Sequence, residues 1–278
     1  MFFAGCDVGS LAGKAVIIKW EDNSEPKILG KSTVLSRVIP QKTAREAFDL
    51  ALNDAKVTKE DIKFIVGTGY GRVKIPFANI NLSEIACHGK GAHWCIPSIR
   101  TIVDIGGQDS KVIRVDENGK LLDFGMNDKC AAGTGRFLEV MAKVLETKLE
   151  DMGKISLQSS NPALITAQCG IFAETEVISL IAEGKKVVDI IAGLHDSIAS
   201  RTLSLINRVG LELDITMTGG VAKNIGVVDS LEKKLNVKLK KIPIDPQIIG
   251  ALGAALFAKE EYKKSIKQSS HKLKKWDF

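Results

Sequence analysis

Asp7-Val-Gly-Ser-Leu-Ala-Gly-Lys14 decides how this sequence is interpreted, because a second copy of the octapeptide pattern occurs at Asp104-Ile-Gly-Gly-Gln-Asp-Ser-Lys111. Both copies read Asp-x-Gly-x-x-x-x-Lys, start 97 residues apart, follow an apolar segment typical of a strand and precede another one. Such a repeat predicts two strand–loop–strand units and a duplicated α/β architecture with a cleft between its halves.

The glycine in each loop predicts a phosphate-binding hairpin. Gly9 and Gly106 lack a Cβ, so backbone N–H groups can approach phosphate oxygens closely. We expect Asp7 and Asp104 to face each other across the cleft and to hold Mg²⁺ through water, because this ion keeps several of its waters. The alternative is a pair of ordinary hairpins with turn glycines, but the duplicated spacing favours phosphate binding.

Two further glycine-containing segments follow later in the chain. Thr218-Gly219-Gly220 ends a predicted strand and lets a flat ring approach the backbone, which suits an adenine–ribose site; close strand–helix packing would explain it equally well. Gly250-Ala-Leu-Gly253 forms a face of small residues on a predicted helix. Such a face more often packs against another element than binds a ligand.

Hydrophobic periodicity predicts strands alternating with helices, which is typical of an α/β protein. We divide the chain into a first half at 1–98, a second half at 99–258, with a C-terminal helix that could return to the first half, and a basic tail at 259–278. Helices are expected at 43–56, 83–93, 135–148, 171–183, 187–209, 224–235 and 248–263, and later strands at 28–38, 61–67, 214–218 and 238–242.

The composition excludes several classes of protein. The 278 residues are 45% hydrophobic and 26% charged, which is too apolar for a disordered chain. No apolar run reaches the ~18 residues that a membrane helix needs, and the N-terminus lacks the pattern of a signal peptide, so we expect a cytoplasmic protein without a membrane partner. The net charge is +6, and residues 259–278 hold seven lysines against three acids. The body is thus nearly neutral and predicts no nucleic-acid partner, and the tail is expected to be poorly ordered and dispensable for folding.

The five cysteines are spread along the chain, and in a reducing compartment this favours metal or redox chemistry over disulfides. Cys130 and Cys169 stand among small residues just before predicted helices, whose N-termini favour a thiolate. A cubane cluster needs four thiolates, so two per chain suffice only if a two-fold axis joins two chains. The alternative is two buried structural cysteines.

Other polar residues carry weaker signals. Cys6 lies within the first strand and is expected in the core. His195 is expected to be a surface or helix-cap residue rather than a catalytic base. One further group of potential metal ligands lacks the paired spacing of zinc modules: Cys87, His88, His93 and Cys95.

Taken together, seven segments resemble the activator ATPases of 2-hydroxyacyl-CoA dehydratases, a family that includes the ATPase subunits of benzoyl-CoA reductases. The resemblance extends from about residue 3 to residue 258 and is most specific around the cysteine of the fourth segment. The segments are Asp7-Val-Gly-Ser10, Thr68-Gly-Tyr-Gly-Arg72, Val103-Asp-Ile-Gly-Gly-Gln-Asp109, Met126-Asn-Asp-Lys-Cys-Ala-Ala-Gly-Thr-Gly-Arg-Phe-Leu138, Phe172-Ala-Glu-Thr-Glu-Val-Ile-Ser179, Met217-Thr-Gly-Gly-Val-Ala222 and Gly250-Ala-Leu-Gly-Ala-Ala255.

The resemblance implies the ribonuclease-H-like fold of actin, sugar kinases and heat-shock ATPases, with a nucleotide cleft between two halves. It implies a homodimer with one 4Fe–4S cluster, held by Cys130 and Cys169 of each subunit. It also implies an ATPase that takes an electron from a ferredoxin or flavodoxin and delivers it at low potential to a partner iron–sulfur dehydratase or reductase.

The resemblance also implies the residues that bind ATP, ADP and Mg²⁺. Asp7, Asp104 and Gln108 would be catalytic. The first loop reads Ser10-Leu-Ala-Gly13 where the family more often has Ser-Thr-Ala-Ser, so two hydroxyls are missing, and Gln168-Cys-Gly-Ile171 departs from Thr-Cys-Thr-Val, which bears on the choice of partner. The other implied nucleotide contacts are Gly9, Ser10, Leu11, Ala12, Gly13, Lys14, Gly106, Gly107, Asp109, Gly219, Gly220, Lys223 and Gln247.

Two other functions stay open at this stage. A small-molecule kinase of the same fold would need an acceptor-hydroxyl pocket with a general base, and the sequence identifies none. An actin-like assembly or regulatory module would bind ATP without further chemistry. Iron bound to the protein would exclude both.

Overall fold

The computed structural model describes residues 1–21, 24–128, 130–167 and 169–273. Within them the chain forms two compact units. The first contains residues 1–91 together with the C-terminal segment from Gln247 onwards, and the second contains residues 92–246. The divisions therefore lie near Gly91 and Pro246 rather than at residues 98 and 258, because the C-terminal helix belongs to the N-terminal sheet.

The first unit is built on a five-stranded sheet in the order β3-β2-β1-β4-β5. β1 and β2 pair antiparallel, as do β2 and β3, whereas β4 runs parallel to β1 and β5 parallel to β4. Its strands are β1 (Phe2–Val8), β2 (Ala12–Lys19), β3 (Lys27–Leu35), β4 (Ile62–Thr68) and β5 (Ile80–Asn81).

Helices cover both faces of this sheet: α1 (Pro40–Ala55) and the long α8 (Ile249–Leu273). Alternation along β1 directs Ala4 into the core beside α1 and Gly5 against the α8 backbone, where a Cβ would collide with a carbonyl oxygen. The helix α2 (Glu84–Cys95) packs on α8 through glycines, since a Cβ at Gly253 would collide with the Cys87 backbone. The small-residue face of α8 therefore serves close packing.

The second unit has a four-stranded sheet in the order β8-β7-β6-β9, with the same pattern of antiparallel and parallel pairs. The predicted strand at 238–242 is reduced to one bridge between Thr216 and Lys240, and β8 and α4 were not predicted. The elements are β6 (Thr101–Ile105), β7 (Ser110–Val115), β8 (Leu121–Asn127), β9 (Ile215–Thr218), α3 (Gly135–Val144), α4 (Met152–Ser156), α5 (Gly170–Ala182), α6 (Val187–Val209) and α7 (Ile225–Leu235).

The predicted duplication is confirmed by the register of the strands. In each sheet an aspartate near the end of the first strand faces a lysine on the antiparallel neighbour and a threonine on the parallel neighbour. The positions are Asp7 opposite Lys14 and Thr68 in the first unit, and Asp104 opposite Lys111 and Thr218 in the second.

The start of the tail, from Lys259 onwards, was expected to be poorly ordered, but it continues α8 and packs on the first sheet. The rings of Tyr262 and Phe3 lie 5.5 Å apart, and the ammonium groups of Lys259 and Lys263 lie 5.0 and 3.9 Å from the centre of the Trp20 ring. Lysine stems and cation–π contacts order this part of the tail despite its charge. Residues 274–278 lie outside the described residues. No helix in the described ranges has the length and apolar character required to cross a membrane.

Candidate functional site

The first predicted phosphate loop is the turn between β1 and β2. The Gly9 N–H donates to the Ala12 carbonyl at 3.0 Å and closes the turn. The buried Asp7 carboxylate accepts a hydrogen bond from the Lys14 ammonium at 3.1 Å. Gly69, with φ of 91°, lies so close to this carboxylate that a Cβ would collide with it. The Gly9 N–H is thus used within the turn, which leaves two residues at its tip: Ser10 and Leu11.

The second predicted loop repeats this turn between β6 and β7. The Gly106 N–H donates to the Asp109 carbonyl at 3.0 Å. The Asp104 carboxylate accepts from the Thr218 hydroxyl at 3.1 Å. Lys111 is buried, and its ammonium lies 3.5 Å from the Asp104 carboxylate and 2.7 Å from that of Asp109. This loop therefore holds one buried cation between two carboxylates.

The start of α3 is hydrogen-bonded to this second loop. The N–H groups of Gly135 and Arg136 donate to the carbonyls of Gly106 and Gly107, both at 2.9 Å. Two of the N–H groups that a helix leaves without intrahelical partners are thus satisfied by the loop. The segment that carries Cys130 leads directly into this helix, so the loop and the cysteine segment share one anchored helix end.

The two cysteine segments lie next to each other. Cys169 is exposed and is the N-cap residue of α5, whereas Cys130 is partly buried and packs against the core of the second unit. A Cβ built at Gly170 would lie 3.7 Å from the Cβ of Ala132. The fold therefore brings both segments to one place, with two thiols at or near the surface.

Two charged residues that the sequence analysis did not single out hold this arrangement. The Glu176 carboxylate accepts hydrogen bonds from the N–H groups of Thr166 and Ala167. Partial burial opposes ionisation, but these hydrogen bonds keep the pKa of Glu176 below its usual value. The Arg201 guanidinium donates to the Ala167 carbonyl at 3.0 Å, and its stem passes Gly133, where a Cβ would lie 3.3 Å away. Arg201 thus contacts the segments of both cysteines.

Large apolar side chains are exposed on α5, starting directly after the second cysteine. Ile171 is 73% exposed and Phe172 70% exposed, although they directly follow Cys169 and Gly170. Ile178, two turns further along α5, is also exposed. An exposed apolar face of this kind is typical of a protein–protein interface.

The third glycine group forms the loop between β9 and α7. Gly219 has φ of 81°, and a Cβ there would collide with the Ile105 carbonyl. Its N–H donates to the Pro246 carbonyl at 3.0 Å, and the Lys223 ammonium lies 2.8 Å from the Asp245 carboxylate. The loop is therefore fixed at both of its sides and comes close to the end of β6.

This loop has a counterpart in the first unit that the sequence analysis did not recognise. Thr68-Gly69 follows β4 as Thr218-Gly219 follows β9, and both glycines have positive φ. A Cβ at Gly69 would collide with Asp7, and one at Gly219 would lie 2.7 Å from Asp104. The repeat thus includes a threonine–glycine pair, hidden because the residues after the two pairs differ.

Two further predicted nucleotide residues lie outside the strands and the α-helices. Gln108 is exposed at the tip of the second hairpin, and Gln247 lies in the 3-10 helix Pro246–Ile248.

The second group of possible metal ligands is not a metal site. Burial raises the pKa of both the Cys87 and Cys95 thiols to about 12, and His93 hydrogen-bonds to the Glu117 carbonyl at 3.0 Å. Within the described ranges, no group of three or more His, Cys, Asp or Glu side chains could hold a metal ion. Cys6 is buried in the core as predicted, which raises the pKa of its thiol.

The expectation that His195 lies at the surface or at a helix cap is wrong. Its side chain is fully buried in α6 and hydrogen-bonds to two other side chains, Ser156 and Asn224. A histidine at a helical position with apolar neighbours cannot be assigned to core or surface from periodicity alone.

Comparisons with known proteins agree with the family resemblance of the sequence. The BadF/BadG/BcrA/BcrD ATPase family matches residues 4–258. The activator of lactoyl-CoA dehydratase from Anaerotignum propionicum is 47% identical over 268 residues, covering 95% of this chain and 100% of the relative. The structure of the activator of 2-hydroxyisocaproyl-CoA dehydratase from Clostridium difficile, with bound ADPNP, superimposes with a TM-score of 0.89 at 45% identity, covering 96% of this chain and 98% of that one.

A more distant structure bears on the fold alone. A ROK family glucokinase from Streptomyces griseus, in complex with glucose and AMPPNP, has a TM-score of 0.54 at 13% identity and covers 94% of this chain and 100% of its own. The predicted fold of actin, sugar kinases and heat-shock ATPases is confirmed.

Proposed function

The chain belongs to the BadF/BadG/BcrA/BcrD ATPase family, and from this premise we propose that it is an ATP-dependent reductive activator. It would form a homodimer with one bridging 4Fe–4S cluster and use ATP hydrolysis to deliver a low-potential electron to a partner iron–sulfur enzyme, such as a 2-hydroxyacyl-CoA dehydratase. The observation that carries the proposal is the pair of hydrogen bonds from the start of α3 to the second hairpin, beside the segment of Cys130.

Both hairpins would contribute to nucleotide binding. Asp7 and Asp104 would hold Mg²⁺ through water and orient the attacking water, while Gln108 would assist at the tip of the second loop. The partly buried Lys14 and the buried Lys111 keep these carboxylates in place. The remaining nucleotide contacts would come from residues 9–14, 106–109, Gly219, Gly220, Lys223 and Gln247.

Cys130 and Cys169 would hold the cluster, and their surroundings suit this role. One chain supplies two thiols on adjacent segments, half of the four thiolates that a cubane cluster requires. The exposed Ile171 and Phe172 supply an apolar face for a second copy beside the thiols. When bound, the cluster would supply one-electron transfer.

The anchored end of α3 offers a route for coupling. A change in the second hairpin on hydrolysis would act through Gly106 and Gly107 on the helix that follows Cys130. A coupling of about 3 kcal/mol, the upper end of common values, corresponds to only ~130 mV for one electron. A larger change in potential would need either a larger coupling energy or partner docking, so we expect ATP to act on the complex of activator and partner. The electron donor would be a ferredoxin or flavodoxin.

Iron analysis of anaerobically purified protein tests this function. We expect about four irons per dimer, with loss of iron but retention of ATP binding in the Cys130→Ala and Cys169→Ala variants. Cys95→Ala is the matched control, because Cys95 is a partly buried cysteine on α2, and it should keep its iron. Full iron content in both Cys130→Ala and Cys169→Ala would overturn the cluster assignment. A colourless protein that phosphorylates a small molecule would support a kinase instead.

A further inference from the structure

We infer that His195 is a positioning residue for the nucleotide loop at residues 219–223, acting through the side chain of Asn224. The inference rests on the proposed role of that loop in ATP binding, and it adds two residues with no assigned role. A network of three polar side chains carries it: the buried Ser156 of α4 and His195 of α6, and the partly buried Asn224 at the start of α7.

The hydrogen bonds determine which nitrogen of His195 carries the proton. The Ser156 hydroxyl donates to the Gly153 carbonyl at 2.9 Å, so it must accept from the imidazole Nδ1, which lies 2.9 Å away. The imidazole Nε2 is then free to accept from the Asn224 amide Nδ2 at 3.1 Å. Burial lowers the pKa of His195 to about 4, which keeps the ring neutral.

Asn224 connects this network to the loop. Its Oδ1 accepts from the N–H groups of Gly226 and Val227 at 3.0 and 3.2 Å and so caps α7. Its backbone N–H donates to the Val221 carbonyl at 2.9 Å, within the loop. The amide is therefore oriented from both ends, with its oxygen toward the helix and its nitrogen toward His195.

Two glycines make room for the network. A Cβ at Gly226 would collide with the Ser156 hydroxyl and the His195 ring, and a Cβ at Gly153 would lie 2.9 Å from the Asn224 Oδ1. The side chains thus fill space that any other residue at these two positions would occupy.

Loss of the acceptor at Nε2 should weaken nucleotide binding rather than the chemical step. The far side of the loop stays fixed by Pro246 and Asp245, but Asn224 would be oriented from one end only. The loop would then have to be ordered when the nucleotide binds, which raises KM. Asp7 and Asp104 lie on other elements, so kcat should stay nearly constant.

Two conservative variants separate this role from a merely structural one. In His195→Gln the amide oxygen can replace Nε2 as the acceptor for Asn224, whereas in His195→Asn the shorter amide can replace Nδ1 as the donor to Ser156 but cannot reach Asn224. Loss of the hydrogen bond between His195 and Asn224 costs about 1 kcal/mol, close to a fivefold change in an equilibrium constant. We expect His195→Asn to raise the KM for ATP about fivefold, with kcat within twofold, and His195→Gln to stay within twofold in both.

Thr202→Val is the matched control. Thr202 is buried on the same helix, and its hydroxyl donates to the Ile198 carbonyl at 2.9 Å. The variant should lower the melting temperature like the His195 variants and leave KM unchanged. Equal KM values for His195→Asn and His195→Gln would overturn the inference, as would a raised KM in Thr202→Val.

Amide hydrogen exchange in the nucleotide-free full-length chain tests the inference independently of the proposed function. Amides of residues 220–226 should exchange faster in His195→Asn than in His195→Gln or in the parent. Equal exchange would overturn the inference whether or not the chain hydrolyses ATP. Absence of ATP binding in the parent, with the expected exchange pattern intact, would instead refute only the nucleotide role of the loop.

Discussion

The two hairpins share a turn, a register and an aspartate–lysine pair, yet they are attached to different surroundings. The Gly9 carbonyl of the first hairpin accepts from the Ser36 hydroxyl, in the loop before α1. The equivalent Gly106 carbonyl accepts from the first N–H of α3, beside a cysteine segment. The second hairpin also has an additional carboxylate, Asp109, where the first has Ala12. The two hairpins therefore have the same turn but different hydrogen-bonded neighbours. A change in the first turn would act on the loop before α1, and a change in the second would act on α3.

The largest expected effect is on the rate of ATP hydrolysis, when the aspartate that both hairpins share is replaced. Asp7→Asn and Asp104→Asn should each lower the rate of ATP hydrolysis by about 10²–10³-fold, because each removes a charge that would position Mg²⁺ and water. Steady-state ATPase assays measure the rate, and iron analysis of the same samples should show an intact cluster. Parent-like rates in both variants would mean that the duplicated turn does not bind the nucleotide.

The pH dependence of stability should reveal the buried His195 of the second unit. The unfolded chain protonates His195 near pH 6.5, whereas the folded chain resists protonation of this residue until about pH 4. Protonation therefore favours unfolding: the stabilisation is complete above pH 6.5 and is lost progressively as the pH falls towards 4. We expect a loss of up to about 3 kcal/mol in the free energy of unfolding.

Denaturant titrations between pH 7 and pH 4 measure this loss, and His195→Gln is the comparison. The variant has no group that titrates at this position, so its free energy of unfolding should fall less steeply over the same range. Identical slopes for the parent and the variant would contradict a buried neutral imidazole.

A third prediction concerns the hydrogen bond between the second hairpin and α3, where the first hairpin instead bonds to the loop before α1. Gly135→Pro removes the N–H that bonds to Gly106 and places its ring carbon in the path of that hydrogen bond, so it separates α3 from the hairpin. Its fixed φ still suits the first helical position. We expect about tenfold fewer electrons delivered per ATP hydrolysed, with the ATPase rate within about threefold, since coupling energies are typically 1–3 kcal/mol.

Ser36→Ala is the matched variant on the first hairpin, where it removes the hydroxyl that donates to Gly9. It should leave the ratio of electrons to ATP unchanged. An equal loss of coupling in Ser36→Ala and Gly135→Pro would show that both hairpins transmit the change.

The smallest expected effect concerns α8. Truncation after Lys259 removes the contacts of Tyr262 with Phe3 and of Lys263 with Trp20. These contacts are worth about 1–2 kcal/mol together, so the melting temperature should fall by about 2–4 °C. Truncation after Lys267 keeps both contacts and should have no effect. Equal melting temperatures for the two truncations would mean that the start of the tail contributes nothing to stability.

Local patterns predicted much of this fold. Asp-x-Gly-x-x-x-x-Lys revealed the duplication because a hairpin is a local structure, and the helix at 187–209 was predicted with its exact bounds because its periodicity is long and regular. The helix α4 has only five residues, too few for a periodic signal. The edge strand β8 has seven, but its side chains do not alternate between buried and exposed, so it has no period of two. The threonine–glycine counterpart, Thr68-Gly69, became visible only through the register of the parallel strands.

The missed features depend on contacts between distant residues. Arg201 touches segments near residues 133 and 167, and His195 meets partners 39 and 29 residues away. Nothing in the local pattern around either residue indicates these contacts. The ordered start of the tail likewise depends on Trp20, at the other end of the chain.

In the proposed mechanism, a change at the second hairpin reaches the cysteine segment through α3. The rate at which a chelator removes iron from the anaerobic, reduced dimer tests it directly, with and without MgATP. We expect MgATP to change this rate severalfold in the parent and in Ser36→Ala but not in Gly135→Pro. The same rate with and without MgATP in the parent, or the same response in Gly135→Pro, would contradict it.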